Sequence, residues 1–435
     1  MRVIDGRFAY FFAREKVRRL QGAALARVLG VNSQGNSMPL WKRNLIFCWI
    51  GMFATGIGMS QLAPVLPLYI KHLGVTDPGM IYRLSGFAFG ITFIGAALFS
   101  PLWGMAADKY GRKPMLLRAS LGMAIVIFLM GLAPNVHALI ILRILQGTIT
   151  GYSTACITLI ATQTDKEHAG FALGTLSTSA IAGSLLGPVI GGFISDTAGL
   201  RNVFFITGSM MFIAFLVTLL FVQENFVREN KKVLKIKEVW KYIPEKSLTA
   251  TLSVTIFIIT LAVYSIEPIV TVYVSRLAKD LSHVAFIAGL TFSVTGLANI
   301  IAAPSLGKLS DKIGSHNVIL FSLVAAGIIY IPQAFVNAPW QLMGLRFLLG
   351  LSMGGLVPSV NALIKKITPI EHTGRIFGFT MSAQYLGIFS GSVMGGQIAA
   401  AFGIPIVLVV TSSLMLLNAA WVYLYVYRRL ERTNI

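Results

Sequence analysis

The chain has 435 residues, 55% hydrophobic and only 12% charged, with 36 Lys and Arg against 16 Asp and Glu and a formal net charge of +20. Its mean hydropathy of +0.75 lies far from the mixture of apolar and charged residues in soluble domains, so it reads as an all-α polytopic membrane protein. Two cysteines, and six histidines without ligand spacing, point neither to a disulfide framework nor to a metal centre.

Residues 1–37, MRVIDGRFAYFFAREKVRRLQGAALARVLGVNSQGNS, are basic, and no uncharged run among them is long enough to span. The FAYFFA run is too brief for a secretory h-region. An organelle leader or an amphipathic helix lying on the membrane are further readings; the working protein is expected to start at Met38, ahead of PLWKRN. Twelve apolar segments follow, at 44–70, 84–107, 115–133, 138–161, 170–194, 202–222, 249–275, 284–308, 317–335, 340–364, 375–401 and 404–427. Each can cross a hydrocarbon core of roughly 30 Å as helix. Helices are expected because lipid offers backbone groups no partners and the runs lack the alternation of barrel strands.

Span 1 ends in GMSQLAPVLP, Gly58 to Pro67, and contains no acid. Span 2 leads into GMAADKYGRKP, Gly104 to Pro114. There Asp108 can pair with Arg112 or Lys113, or cap the next helix, and Gly104 and Gly111 imply a tight, specified turn. An ion pair between moving helices can latch one conformational state; otherwise the loop charges only fix topology. Span 4 carries RILQG, with Arg143 a turn or two inside the far face. A charge there lines a cavity, meets a partner or snorkels to the interface. Span 5 holds GSLLGPVIGG, Gly183 to Gly192. Gly183, Gly187 and Gly191 fall four apart on one face, where missing side chains admit a close neighbour. That neighbour is expected to be span 8, with Pro188 setting a bend. The charged stretch from Glu224 to Ser247 is a linker without assigned chemistry.

Span 7 contains VYSIEPIVTVYV, in which Glu267 is the one acid at mid-membrane depth. Removal from water disfavours an ionised carboxylate, which makes Glu267 a candidate proton carrier. Pro268 removes a backbone donor, so the helix can bend and admit water there. The alternative is an acid in a wet cavity that attracts cationic substrates. Arg346 in span 10 is the second arginine well inside a span.

The second half repeats the first. At an offset of 203, SPLWGMAADKYG falls on APSLGKLSDKIG, Arg143 on Arg346 and Gly147 on Gly350; at 204, the span-5 glycines fall on Gly387, Gly391, Gly395 and Gly396. A duplication that returns each loop to the same side after six spans gives two pseudo-symmetric six-helix bundles with a cleft between them. The expected division is a basic segment 1–43, a first bundle 44–223, a linker 224–248, a second bundle 249–427 and a tail 428–435. Only Lys71, Arg83, Arg201, Arg276 and Lys279 fall on the far face, and only Arg143 and Arg346 well inside spans. That asymmetry places both termini in the cytoplasm, and it explains the basic charge without nucleic acid.

These residues resemble the major facilitator superfamily from Met38 onward. GMAADKYGRKP is similar to its signature loop, GMSQLAPVLP to the Gly-x5-Pro-x-x-Pro motif of the twelve-span drug:proton antiporter branch, RILQG to the Arg-x-x-Gln-Gly motif, and GSLLGPVIGG to the span-5 antiporter motif. The wording around SPLWGMAADKYGRKP and ALGTLSTSAIAG is similar to fluoroquinolone-type multidrug pumps of Gram-positive bacteria. The resemblance implies a secondary active transporter in the cell membrane, a monomer powered by the proton gradient with no cofactor. It gives Arg143 a part in proton coupling and has spans 1, 2, 4, 5, 7, 8, 10 and 11 line the cleft. Many members of the branch carry an acid in span 1 or 4. This chain does not, so its proton site has moved or coupling works differently.

On that footing Met59, Tyr152, Tyr264 and Tyr385 are candidates for an apolar, adaptable pocket, with Gln61 and Asn361 as polar handles. The leading expectation is proton-coupled efflux of amphipathic drugs; the alternative is an antiporter of a narrow endogenous metabolite such as a sugar or amino acid. A scaffold or sensor on the same fold is disfavoured by the intact first-half motifs. No convergent nucleophile, base and orienter and no ATP-binding loop occur, which excludes the enzyme class.

Overall fold

The structure is a computed structural model that describes residues 38–226, 246–278, 280, 282–368 and 373–428. The basic leader 1–37, most of the linker and the tail from 429 lie outside the described residues. The first six helices are α1 (Leu40–Ser60, then Leu62–His72), α2 (Pro78–Tyr110), α3 (Arg112–Gly131), α4 (Val136–Ile149, then Tyr152–Gln163), α5 (Lys166–Ala198) and α6 (Leu200–Phe221). In the second half, α7 runs Lys246–Ile266, passes a 3-10 turn Glu267–Ile269 and resumes as Val270–Leu277. It is followed by α8 (Val284–Ile313), α9 (Ser315–Gln333), α10 (Pro339–Met353, then Leu356–Ile367), α11 (Thr373–Phe402) and α12 (Ile404–Val422, ending in a π turn, Tyr423–Tyr427). Among the described residues eleven passages are long and apolar enough to cross a membrane, and α1 makes a twelfth as a pair bent by 45°.

Local chemistry sets the helix ends. Asp77, just before Pro78, caps α2 by accepting from the Met80 N–H at 2.6 Å, and Asn135 caps α4 through the Ala138 N–H at 2.9 Å. The α2–α3, α5–α6, α8–α9 and α11–α12 turns each pivot on one glycine, Gly111, Gly199, Gly314 and Gly403, with φ between +88° and +97°. A Cβ is strained there, and the four pair off at the same offsets that relate the halves.

The first half packs around two apolar clusters, one on Tyr69, Met123, Met130 and Phe204 and one on Trp41, Leu116, Cys156 and Leu159, and the second half around Ile256, Leu323, Tyr330 and Leu408. The symmetry reaches single bonds: the hydroxyls of Tyr69 and Tyr273 donate to the carbonyls of Met130 and Gln333, both at 2.7 Å. The bundles meet along two seams, α2 with α11 and α5 with α8.

The glycine ladder of α5 corrects one expectation. A Cβ at Gly183 would lie 2.6 Å from Phe53 O, one at Gly187 2.9 Å from Ile57 O, and one at Gly191 2.6 Å from Gln61 Cβ, all on α1 of the same bundle. Only Gly192, about 100° round the helix from Gly191, faces α8, where its Cβ would lie 2.6 Å from the Ala285 carbonyl carbon. Gly289 reciprocates, with a Cβ position 2.7 Å from the Pro188 carbonyl carbon. Spacing by four keeps three glycines on one face, so they cannot also serve the second neighbour. The other half repeats the arrangement, with Gly387, Gly391 and Gly395 against α7 and Gly396 against Tyr82 of α2. The helix α5 runs unbroken through Pro188.

Candidate functional site

Both seams are tight toward the face that holds the α1–α2, α7–α8 and α11–α12 turns, here the far face. Toward Met38 and the α2–α3 turn they part: a Cβ at Gly104, Gly174, Gly307 or Gly378 would meet nothing within 4 Å. The molecule is therefore closed at the far face and open at the near one. This corrects the expectation for Gly104, which lies within α2 and borders the opening; the sharp turn belongs to Gly111 alone, at φ +97°.

The opening leads to a cavity of about 230 Å³, lined mainly by α1 to α4 and closed against the other bundle by Tyr385. Its chemistry is set by the break in α4. Gly151 takes φ +128°, and the broken helix leaves carbonyls to be satisfied. Trp103 Nε1 donates to Thr148 O at 2.6 Å and Arg118 Nη2 to Thr150 O at 3.2 Å, with the guanidinium 3.6 Å above the indole. Hydroxyls of Thr55, Ser100, Ser153, Thr154 and Thr158 complete the lining. The wall stays largely apolar, with Met59, Ala96, Ala107, Met115 and Ala155, and its polar groups gather at the helix break, where backbone carbonyls need partners.

Among the predicted pocket residues, Met59, Tyr152 and Tyr385 line this cavity. The Tyr152 hydroxyl is engaged with Thr218 Oγ1 at 2.8 Å. Gln61 is buried in the α1 break with Nε2 unpaired, Asn361 has an unpaired Oδ1 on α10, and neither belongs to the described lining. Tyr264 stands in an aromatic group beside the cavity: its ring lies 6.0 Å from Phe89 and 6.2 Å from Phe93, which in turn lies 6.1 Å from Tyr385.

Arg143 does not snorkel. It is 3% exposed, and its Nε donates to Ala88 O at 2.9 Å and its Nη1 to Gln146 Oε1 at 2.7 Å, while the guanidinium sits 5.9 Å from the Phe89 ring centroid. Arg and Gln of the RILQG stretch, three residues apart, therefore share one helix face. Glu267 is half-buried in the 3-10 turn that interrupts α7, as Pro268 implied. It lies within electrostatic reach of Arg346 on α10 and of the hydroxyls of Tyr264 and Tyr330. Phe89, beside Arg143 in one bundle, thus lies against Tyr264 in the other, and Tyr264 is within electrostatic reach of Glu267.

Asp108, in the last turn of α2, pairs at 2.6 Å with Arg112, the first residue of α3. It does not cap α3. That part falls to Glu224, whose Oε1 and Oε2 accept from the Arg112 and Lys113 N–H groups, each at 2.8 Å. Glu224, at the start of the charged linker, reaches this place through the packing of α3 on α6, which the sequence does not show. Arg118 is a further cavity residue that the sequence motifs do not mark.

The family model for the Major Facilitator Superfamily matches residues 48–339 and 252–434. Curated relatives include the Multidrug resistance protein MdtG of Salmonella typhimurium and that of Salmonella dublin, each 45% identical over 390 residues, covering 89% of this chain and 96% of the relative. Among solved structures, a bacterial homolog of the human lysosomal transporter Spinster, inward-facing and unoccupied, is 14% identical with a TM-score of 0.73, covering 90% of this chain and 98% of that one. A mutant of the nucleoside transporter NupG is 14% identical with a TM-score of 0.71, covering 89% and 100%. Likeness at that identity shows the fold alone.

Proposed function

The chain belongs to the major facilitator superfamily, and from that premise we propose that it exports amphipathic drugs across the cell membrane, coupled to proton entry, by alternating access. It is a multi-pass membrane transporter and not an enzyme. The observation that carries drug export is the 45% identity, over nearly full length, to relatives named for multidrug resistance. A cleft between two rocking bundles, open at one face and closed at the other, is the geometry such a cycle needs.

In this reading the near face is cytoplasmic, because the basic residues gather there. The protein works as a monomer without a cofactor. Glu267 carries the proton: it sits at a helix break between the bundles, opposite Arg346. Arg143 holds Phe89 and the α2 carbonyls in place across from it. Asp108 and Arg112 belong to the near-face latch, which in the present state joins α2 to α3 within one bundle. Fluoroquinolone-like compounds are the first substrates to try.

The narrower alternative, export of one polar metabolite, draws on one observation: hydroxyls and the Arg118 guanidinium interrupt an otherwise largely apolar cavity wall. Dye and antibiotic efflux from energised cells, with and without a protonophore, tests the reading. Efflux of several unrelated amphiphiles supports the multidrug form; efflux of none, with transport of a single polar compound, supports the narrower one.

A further inference from the structure

We propose that Asp196 is the residue that clasps the two bundles together at the far face, and that transport requires its release in every cycle. The proposal rests on the alternating-access reading. Asp196 lies near the end of α5, in the first bundle, and its Oδ2 accepts from the backbone N–H of Phe286, in the first turn of α8 in the second bundle, at 2.8 Å. Helix α8 has no side-chain cap of its own, since His283 at that position makes no capping bond. The positive end of α8 is therefore capped from the opposite bundle, by a carboxylate that a helix N-terminus favours.

Pseudo-symmetry isolates the feature. The equivalent seam, α11 against α2, has the same glycine approach through Gly396 and Gly86, yet Ala400 occupies the position of Asp196. There α2 is capped within its own bundle by Asp77. Among the described residues the α2–α11 seam thus shows close packing, and the α5–α8 seam close packing with a charge-assisted bond. Beside that bond the α5–α8 seam has Gly192 against Ala285 and the Ser293 hydroxyl donating to Leu185 O at 2.5 Å. Opening the far face separates α5 from α8, so the Asp196 bond breaks whenever the cleft opens outward. Lys71 lines the same far-face cavities as Asp196, and His72 and Arg276 one each, so the freed carboxylate has cationic company and is not stranded.

The test uses full-length protein in lipid nanodiscs, with spin labels at Leu132→Cys and Phe335→Cys on the far face and at Tyr110→Cys and Ile313→Cys on the near face. All four positions are exposed, with one of each pair in each bundle, and the native Cys48 and Cys156 are buried. Asp196→Ala is expected to raise the ratio of far-open to far-closed molecules about tenfold, the size of one charge-assisted bond, while the near-face distance shortens in step. Asp196→Glu should restore the wild-type distribution in part, and Asp196→Asn, which keeps an acceptor without the charge, should fall between. A folded Asp196→Ala protein with the wild-type distribution overturns the clasp. Wild-type protein that never shows reciprocal near and far distances overturns alternating access itself, a separate failure.

Discussion

Placing one methyl group on α5 at two neighbouring points of the glycine ladder should produce two different defects. At Gly187 an added Cβ lies 2.9 Å from Ile57 O and 3.0 Å from Ile57 Cα, and against Ser60 Oγ. The obstructing atoms are mostly backbone of α1, so that helix has to move by about 0.5 Å or more to regain ordinary contact. Overpacking of this kind costs ~1–3 kcal/mol, partly offset by the ~1 kcal/mol that alanine gains over glycine in a helix. Because α1 and α5 share a bundle, the cost is paid in every conformational state. Gly187→Ala should therefore lower the thermal midpoint in detergent. Gly192→Ala meets Ala285 and Phe286 across the bundle interface, at 2.6 and 2.8 Å. Here the bundles can rock apart, so the same ~1–3 kcal/mol falls on the far-closed state alone and shifts the open-to-closed ratio by about 5- to 150-fold. Gly174→Ala, which meets nothing within 4 Å, is the control and should be neutral or slightly stabilising. Thermal unfolding and far-face distances, measured on all three variants, separate the cases. If Gly187→Ala were as stable as Gly174→Ala, or if Gly192→Ala left the distance distribution unchanged, the assignment of ladder to bundle and Gly192 to seam would be wrong.

Three further outcomes follow from the same geometry. Glu267→Gln should abolish proton-driven efflux between pH 6 and 8 while substrate binding survives; full efflux across that range would remove Glu267 from the coupling path. Glu224→Ala strips the cap from the α3 N-terminus and should cost ~1–2 kcal/mol, read as a fall in the thermal midpoint; an unchanged midpoint would make the cap energetically idle. Arg143→Lys keeps the charge but loses the planar fork that reaches Ala88 O and Gln146 together, so transport should fall at least tenfold with expression unaltered, and lysine at near wild-type rate would show that charge alone suffices.

The architecture was legible because each of its determinants is local. Hydropathy placed the spans, and the repeat around Arg143 and Arg346 announced the duplication. Pro268 marked the break in α7, which the structure has at Glu267–Ile269. Contacts across the fold were not legible in the same way. Four-residue spacing said that Gly183, Gly187 and Gly191 share a face, but not which neighbour takes it, and α1 does. The cap supplied by Glu224 and the bond from Asp196 depend on helices that are distant in sequence. Arg118 carries no sequence signal of its own, because a sequence gives depth along a helix without azimuth; its partner is Thr150 O, exposed by the break at Gly151.

The central claim, export driven by the proton gradient, is tested most directly by loading energised cells with a fluorescent amphiphile and following its efflux as a protonophore is added. The account predicts rapid efflux that stops when the gradient collapses and is absent in Glu267→Gln. Efflux that continues unchanged without a proton gradient would contradict it.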